Sequence, residues 1–181
     1  MSRIAIPVRE DAPAGSQPLL DAVAKTLGVV PNLFRLVALS PAALEGYLGL
    51  NGALTKTLDA KTRERIALAV AEINGCDYCL SAHSYLGLNL AKISQAEIDL
   101  NRAGGSSDPK ADAAVRFAAK IAQMRGHVDN ADLAAVRNAG YADAQIVEIV
   151  LNVALNFLTN FVNNAAETDI DFPVVRNAKA A

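Results

Sequence analysis

Residues 63–83 decide the fold and read Arg63-Glu-Arg-Ile-Ala-Leu-Ala-Val-Ala-Glu-Ile-Asn-Gly-Cys-Asp-Tyr-Cys-Leu-Ser-Ala-His83. The first half contains the unbroken apolar run 66–71, and a helix that is apolar on every side is normally buried on every side. Asn74-Gly75 interrupts this helix, and a second helix that carries Cys76 and Cys79 is expected to begin there. The stretch therefore predicts a buried helix followed at once by a helix with two thiols.

Helical signals continue along the rest of the chain. Ala, Leu and charged residues dominate, and no alternating Val, Ile or Thr run bounded by hairpin turns is present. Ser94-Gln-Ala-Glu97 has the pattern of a capping box at a helix start. We expect helices at residues 17–27, 31–39, 41–55, from 60 after a cap at Asp59, from 75, from 94 to about 104, from 108 to 126, from 129 to 140 and from 143 to 166. The predicted fold class is all-α, a single-domain helical bundle.

Length and composition limit the domain organisation and the partners. A chain of 181 residues fits one domain. We expect an irregular N-terminal arm at 1–16, where Pro7, Pro13 and Gly15 break any periodicity, a helical domain at 17–172 and a C-terminal tail at 173–181. The net charge of −2 and the lack of a basic stripe argue against nucleic acid as a ligand.

The apolar segments predict a cytoplasmic protein with no membrane partner. The N-terminus lacks the continuous apolar core of a signal peptide. The longest apolar region, 146–162, contains Glu148 and three asparagines, and it is shorter than the roughly 20 apolar residues of a membrane span. In the cytoplasm a Cys-x-x-Cys pair is more often catalytic or metal-binding than structural.

The two cysteines and His83 form a candidate redox site. Cys76 and Cys79 are the only cysteines, and their spacing of three is close enough for a disulfide. Cys79 and His83 are four residues apart, so they share one helix face. A thiolate at Cys79, favoured by the helix N-terminus and by His83, can attack a peroxide oxygen. Cys76 can then condense with the resulting sulfenic acid and close a disulfide.

Two other interpretations of the cysteine segment remain open. A structural zinc site needs four ligands, and the chain offers only Cys76, Cys79 and His83 besides the distant His127. His127 follows a glycine near a predicted helix end, where we expect it to lie in solvent. The third interpretation is a pair of buried, inert thiols. The redox pair is favoured over both, and no metal is expected.

The segment 63–83 closely resembles the alkylhydroperoxidase D-like (AhpD-like), carboxymuconolactone decarboxylase superfamily, and most closely its peroxidase-related branch. The pattern consists of a Glu twelve residues before Cys-x-x-Cys and a His four residues after the second Cys; here these are Glu64, Cys76, Cys79 and His83. The resemblance implies a peroxidatic Cys79, a resolving Cys76 and a proton relay of Glu64 and His83. It also implies a homo-oligomer (a dimer, trimer or hexamer) without a cofactor, with a hydroperoxide substrate and a protein or small dithiol reductant.

One departure from the family pattern and two alternative functions remain. Some peroxidases of the family carry a second His between the cysteines, where this chain has Tyr78, for which core packing is the favoured interpretation. Glu72 is a substitute for Glu64 in the relay. The alternatives are a lactone decarboxylase of the same superfamily, which does not rely on a Cys pair, and a non-enzymatic redox-sensing oligomeric scaffold.

Asparagines recur on the last predicted helix. They stand at every fourth position, 152, 156, 160 and 164, with Asn163 beside the last. Asn is a poor helix former, and buried amides need partners. The stripe is therefore expected to face a subunit interface, the active-site pocket or solvent, in that order of preference.

Overall fold

Helices make up the framework of residues 2–178, the part of the chain that this computed structural model describes. Nine α-helices and one short 3₁₀ turn lie in this range, which contains no strand. They are α1 (Gln17–Leu27), α2 (Asn32–Val37), α3 (Pro41–Leu54), α4 (Ala60–Ile73), α5 (Asp77–Asn89), α6 (Gln95–Arg102), α7 (Pro109–Met124), α8 (Asn130–Asn138) and α9 (Asp143–Ala166). The predicted all-α class is confirmed.

Helix α4 lies at the centre of the bundle. It packs against α5, α6, α7 and α9, and every residue from Ile66 to Ala71 is buried. The prediction that the apolar run is enclosed on all sides is therefore confirmed. Full burial of a side chain such as Ile66 or Leu68 contributes about 1.5–3 kcal/mol, so this helix anchors the elements that carry the site.

Side-chain caps begin the helices as the sequence predicts. The side chains of Ser40, Asp59, Ser94, Asp108 and Asp129 each accept a hydrogen bond from the first turn of the following helix. The helix ends are less regular. Several helices stop one or two residues before the predicted limit; α7, for example, ends at Met124 and not at residue 126.

The capping box predicted at the start of α6 is only half formed. Ser94 Oγ accepts the backbone N–H of Glu97 at 3.3 Å. The Glu97 carboxylate does not return to Ser94 but accepts from Arg65 Nε at 3.0 Å and from Ser107 Oγ at 2.6 Å. Charge-assisted partners are stronger than a neutral backbone amide, and Glu97 is buried where it meets them.

The arm and the described part of the tail both pack onto the helices. The arm contains a 3₁₀ turn at Arg9–Asp11, and Ser16 Oγ donates to the backbone oxygen of Ala38 at 2.6 Å. In the tail, the backbone N–H of Val175 donates to Ser81 Oγ at 2.9 Å. Met1 and residues 179–181 of the predicted arm and tail lie outside the described residues.

Helix α9 combines a buried polar face with an exposed apolar face. By length and composition alone it is long and apolar enough to cross a membrane, and it is the one such helix in residues 2–178. In the fold, 44% of its most apolar window is buried, and it packs against α3, α4, α5 and α7. The core helix of a water-soluble domain meets the same criteria.

Candidate active site

The junction between α4 and α5 positions both cysteines. Gly75 adopts a left-handed φ of +63°, which reverses the chain after α4 at little steric cost. Cys76 is the N-cap of α5, and its sulfur accepts the backbone N–H of Cys79 at 3.3 Å. The predicted break at Asn74-Gly75 is thus present. Both thiols lie at the positive end of the α5 dipole, where a thiolate is favoured.

The two thiols form a close, buried pair. The Sγ atoms of Cys76 and Cys79 are 2.7 Å apart, and both residues are free cysteines with at most 3% of their surface exposed. A disulfide has an S–S distance of about 2.05 Å, so only a small movement of the side chains is needed to close the bond. The geometry therefore allows reversible disulfide formation within one helical turn.

The surroundings shift the pKa values of the two thiols in opposite directions. Burial acts to raise the pKa of Cys79, but the hydrogen bond from Cys76, the charge of His83 and the amides of Asn163 and Asn160 lower it to about 7. The pKa of Cys76 is raised well above its ordinary value by its hydrogen bond to Cys79 and by burial. At neutral pH Cys79 is thus partly a thiolate, while Cys76 stays protonated and donates to it.

Glu64 and His83 are joined across the α4–α5 interface. His83 Nδ1 lies 2.8 Å from Glu64 Oε2, and both side chains are about one-fifth exposed. Burial opposes protonation of His83, but the charges of Glu64 and Cys79 raise its pKa above the ordinary value. The raised pKa favours the protonated imidazole, which places a positive charge beside the thiolate and makes His83 a candidate proton donor.

The structure shows which of Glu64 and its substitute Glu72 contacts His83. Glu72 Oε2 accepts from Arg102 Nε at 2.8 Å, and its other oxygen accepts the backbone N–H of Ala178 at 2.8 Å. Glu72 is thus bound to the last residue of α6 and to the C-terminal tail. Glu64 is the carboxylate that reaches His83.

His83 acts on Cys79 through charge. Among the hydrogen bonds of residues 2–178, none joins the imidazole directly to the Cys79 sulfur, although the two groups influence each other electrostatically. The shared helix face predicted from the spacing of four thus brings the charges near each other. The hydrogen bonds to the sulfur come from Cys76 and from α9.

The amides of α9 are a part of the site that sequence reasoning did not assign. Asn163 Nδ2 donates to Cys79 Sγ at 3.3 Å. Asn160 is also close enough for its side chain to help lower the pKa of Cys79. Because Asn160 and Asn163 are three residues apart, both lie on the α9 face that meets α5. The only hint in the sequence was a pair of asparagines at helical spacing on an otherwise apolar helix.

The rest of the asparagine stripe divides into two groups. Asn152 and Asn156 are buried and donate to backbone oxygens one turn earlier in α9. Asn164 is exposed, and its Nδ2 donates to the backbone oxygen of Asn74 at 2.9 Å. The solvent interpretation is thus wrong for the buried positions, and Asn160 lies beside Cys79.

Tyr78 packs into the core, as predicted. Its hydroxyl accepts the backbone N–H of Leu33 at 3.1 Å, and its ring meets Phe172 edge-on at 5.9 Å. Burial raises the pKa of Tyr78. The side chain therefore tethers α2 to α5 and does not supply a base between the cysteines.

His127 is exposed, and within residues 2–178 no group of three His, Cys, Asp or Glu side chains is arranged to hold a metal ion.

Comparisons with known proteins match part of the chain to a family. Residues 41–124, which include all four predicted site residues, match the carboxymuconolactone decarboxylase family. An uncharacterized protein of Haemophilus influenzae is 50% identical over 46 residues. That match covers 24% of this chain and 41% of the relative, so the likeness spans less than half of that protein's length.

Solved structures share the fold over nearly the whole chain. An uncharacterized peroxidase-related protein from Ralstonia eutropha with an alkylhydroperoxidase AhpD core superimposes with a TM-score of 0.83 and 24% identity, covering 94% of this chain and 92% of that one. The debrominase Bmp8, solved with 2,3,4-tribromopyrrole, gives a TM-score of 0.78 and 20% identity, covering 94% of each chain. Identities at this level speak for the fold. Together with the match over residues 41–124, they support a relationship of this chain to the AhpD-like, carboxymuconolactone decarboxylase superfamily.

Proposed function

We propose that this protein is a thiol-dependent hydroperoxidase that cycles between a dithiol and a Cys76–Cys79 disulfide. The observation that carries the proposal is the asymmetry of the sulfur pair. The two sulfurs lie 2.7 Å apart, and the pKa of Cys79 is lowered to about 7 while that of Cys76 is raised. One sulfur is thus prepared to attack, and the other is held protonated beside it.

The first half-reaction oxidises Cys79. Its thiolate attacks the terminal oxygen of a hydroperoxide, so the S–O bond forms as the O–O bond breaks. The sulfur loses two electrons, and the peroxide is reduced to an alkoxide. His83, which holds the proton next to Glu64, protonates this leaving group and releases it as an alcohol.

The second half-reaction closes the disulfide. The Cys76 sulfur attacks the sulfur of the Cys79 sulfenic acid, the S–S bond forms and the S–O bond breaks. The proton of Cys76 leaves with the hydroxide as water. A small dithiol or a protein reductant then restores both thiols by exchange, and no cofactor takes part in the cycle.

We propose that the protein acts in the cytoplasm, without nucleic-acid or membrane partners.

Stopped-flow thiol oxidation by several hydroperoxides tests the proposal. We expect the wild-type protein to consume one peroxide for each disulfide formed, with mass spectrometry showing the loss of two hydrogens. Cys79→Ser should abolish the reaction, because the attacking sulfur is gone. Cys76→Ser should still react once and stop at a sulfenic acid that dimedone traps.

A matched pair of outcomes decides the roles of the two sulfurs. Full activity in Cys79→Ser together with loss in Cys76→Ser would reverse them. Tyr85→Phe serves as a control on the same helix, because Tyr85 is exposed and takes no part in the relay. Wild-type thiols that stay reduced under excess peroxide would refute the peroxidase assignment.

Two other reactions follow from the family and from one neighbour. A lactone decarboxylase would not depend on the thiols, so its activity would survive alkylation of both cysteines. The structural neighbour Bmp8 is a debrominase, and an electron-rich thiolate beside a second thiol can also remove an electrophilic halogen. Brominated pyrroles therefore belong among the substrates tested. A redox-sensing scaffold would instead react slowly and change its assembly state on oxidation.

A further inference from the structure

Three side-chain amides connect the last turns of α9 to the cysteine turn. Asn163 Nδ2 donates to Cys79 Sγ at 3.3 Å. Asn74 Nδ2 donates to Asn160 Oδ1 at 2.9 Å, and Asn164 Nδ2 donates to the backbone oxygen of Asn74 at 2.9 Å. Asn74 immediately precedes the glycine that begins the cysteine turn, so these bonds couple the position of the amides to that of the sulfur.

Two atoms of these amides are buried without a hydrogen-bond partner. They are Asn160 Nδ2 and Asn163 Oδ1, on side chains that are 0% and 2% exposed. Buried amide groups nearly always have partners. Asn74 occupies the oxygen of Asn160. The nitrogen of that amide lies near enough to Cys79 to help lower its pKa, but it makes no hydrogen bond of normal geometry and can donate to another acceptor. An unsatisfied donor beside a reactive sulfur is the feature expected where a reaction brings its own acceptor.

We propose that Asn160 and Asn163 are catalytic residues that form a pair of amide donors, with Asn163 holding the Cys79 thiolate and Asn160 binding the oxygen that the sulfur acquires. The inference rests on the proposed peroxidase function. When the thiolate attacks the hydroperoxide, negative charge spreads over both oxygens as the S–O bond forms and the O–O bond breaks. The free N–H group of Asn160 donates to the oxygen that is transferred. The proton for the leaving alkoxide still comes from His83.

The burial of Cys79 makes such donors necessary. At 3% exposure the sulfur has little access to water that could stabilise an oxyanion. In a site without water, a fixed donor stabilises developing charge more than it would in solution. In this arrangement Asn74 is a positioning residue, because it touches neither sulfur nor substrate and acts by orienting Asn160.

Leucine substitutions on α9 test the two roles separately. All variants are made with Cys76→Ser, so that a single thiol is observed. Alkylation by iodoacetamide against pH reports the pKa of Cys79, because only the thiolate reacts. This reagent places no oxygen on the sulfur, so it does not depend on the oxygen-binding role of Asn160. Removing the donor at 163 with Asn163→Leu should raise the midpoint by about one pH unit, the size expected for one hydrogen bond to a charged group.

The reaction with hydrogen peroxide, measured well above the alkylation midpoint, reports the second role. Asn160→Leu should slow sulfenic acid formation about tenfold or more, while the iodoacetamide rate at the same pH falls far less. The matched control is Asn156→Leu, one turn earlier on α9, whose Nδ2 donates to the backbone oxygen of Asn152. It should leave both rates near those of the Cys76→Ser parent.

The outcomes separate this inference from the proposed function. A parent protein that does not react with peroxide refutes the peroxidase. The alkylation titration still decides the role of Asn163, and an unmoved midpoint in Asn163→Leu overturns it. Peroxide and iodoacetamide rates that fall equally in Asn160→Leu overturn the oxygen-binding role.

A variant outside the core covers the case in which a leucine variant does not fold, as judged by circular dichroism. Asn74→Ala keeps both amides of α9 but frees Asn160 to rotate. It should slow the peroxide reaction selectively, whereas a purely structural role would change the two rates together. Equal effects on the two reagents would again overturn the proposal.

Discussion

At the level of single residues, Cys79 shows how a buried thiol becomes a nucleophile. Burial alone would keep this thiol protonated and inert, as in the third interpretation of the sequence. Two sources of hydrogen bonds, the Cys76 thiol and the α9 amides, act together with the charge of His83 and bring the pKa of Cys79 to about 7. Cys76 accepts only the backbone N–H of Cys79, and its hydrogen bond to Cys79 and its burial move its pKa the opposite way. Reactivity therefore depends on the neighbours of each sulfur more than on the Cys-x-x-Cys motif itself.

Replacing the imidazole tests the electrostatic part of this account. His83→Gln removes a positive charge near the thiolate, so the pKa of Cys79 should rise from about 7 toward the ordinary 9.0. Alkylation at pH 7 should slow accordingly, while the limiting rate above pH 10 stays close to that of the wild type. The measurement is iodoacetamide labelling of Cys79 as a function of pH, again with Cys76→Ser.

Glu64→Gln is the companion variant. Loss of the carboxylate lowers the pKa of His83, so at neutral pH fewer imidazoles are charged and the Cys79 midpoint should also move upward, by less than in His83→Gln. A titration identical to wild type in both variants would remove this pair from the activation of the thiol.

The four residues predicted from sequence lie within twenty positions, and local geometry carries that prediction. Helical spacing brings Cys79 and His83 to one face, and Glu64 lies on the helix just before the break. Asn163 is 84 residues away from Cys79. Its place at the sulfur follows from how α9 packs on α5, which no local pattern encodes. The stripe indicated polar surroundings but not which ones.

At the level of elements, helix starts carry a clearer sequence signal than helix ends. Starts are marked by side chains that bond the first turn, and such caps are present at five helices. The ends of α7 and α9 are turned by Arg125 and Glu167, which have left-handed φ values of 53° and 48°. Neither residue type normally marks such a turn. The end of α9 nevertheless lies at the predicted residue 166, whereas α7 ends two residues before its predicted limit.

The Glu97 carboxylate connects α4, α6 and the loop that leads to α7 by hydrogen bonds. Its carboxylate receives bonds from Arg65, Asn101, Ser106 and Ser107. Burial would raise its pKa, but these donors lower it to about 2. Glu97→Gln leaves the largely covered Arg65 without its anion, so the free energy of unfolding in urea should fall by about 3 kcal/mol. The exposed pair of Arg137 and Asp143 supplies the control: Arg137→Gln should cost at most about 1 kcal/mol.

The pH dependence of this difference has a definite sign. A carboxylate whose pKa is lower in the folded than in the unfolded state contributes its stability fully above the unfolded value, here 4.5. That contribution is lost as the pH falls from 4.5 toward about 2. The gap between wild type and Glu97→Gln should therefore be constant near neutrality and shrink over this acid range. A gap that widens on acidification would contradict the assigned network.

At the level of the whole molecule, α9 faces in two directions. Its inner side contributes amides to the core, and its outer side carries exposed apolar side chains. These stand at alternating spacings of four and three, at Val147, Leu151, Ala154, Leu158, Phe161 and Ala165. That spacing forms one continuous apolar stripe along a helix. Sequence analysis identified the polar stripe of α9 but could not tell which face the fold would leave uncovered.

We propose that this outer stripe of α9 is the contact between subunits of a homo-oligomer. Phe161 is 56% exposed and Leu158 is 41% exposed, and contiguous apolar surface of this kind usually marks an interaction site. Leu158→Glu combined with Phe161→Glu should place charges in the contact and dissociate the assembly into single chains, as measured by light scattering after size-exclusion chromatography. Leu90→Glu, at a leucine that is 68% exposed just beyond α5, is the matched control and should leave the assembly intact. A wild-type protein with the mass of one chain, or a double variant with unchanged mass, would show that this face does not join subunits.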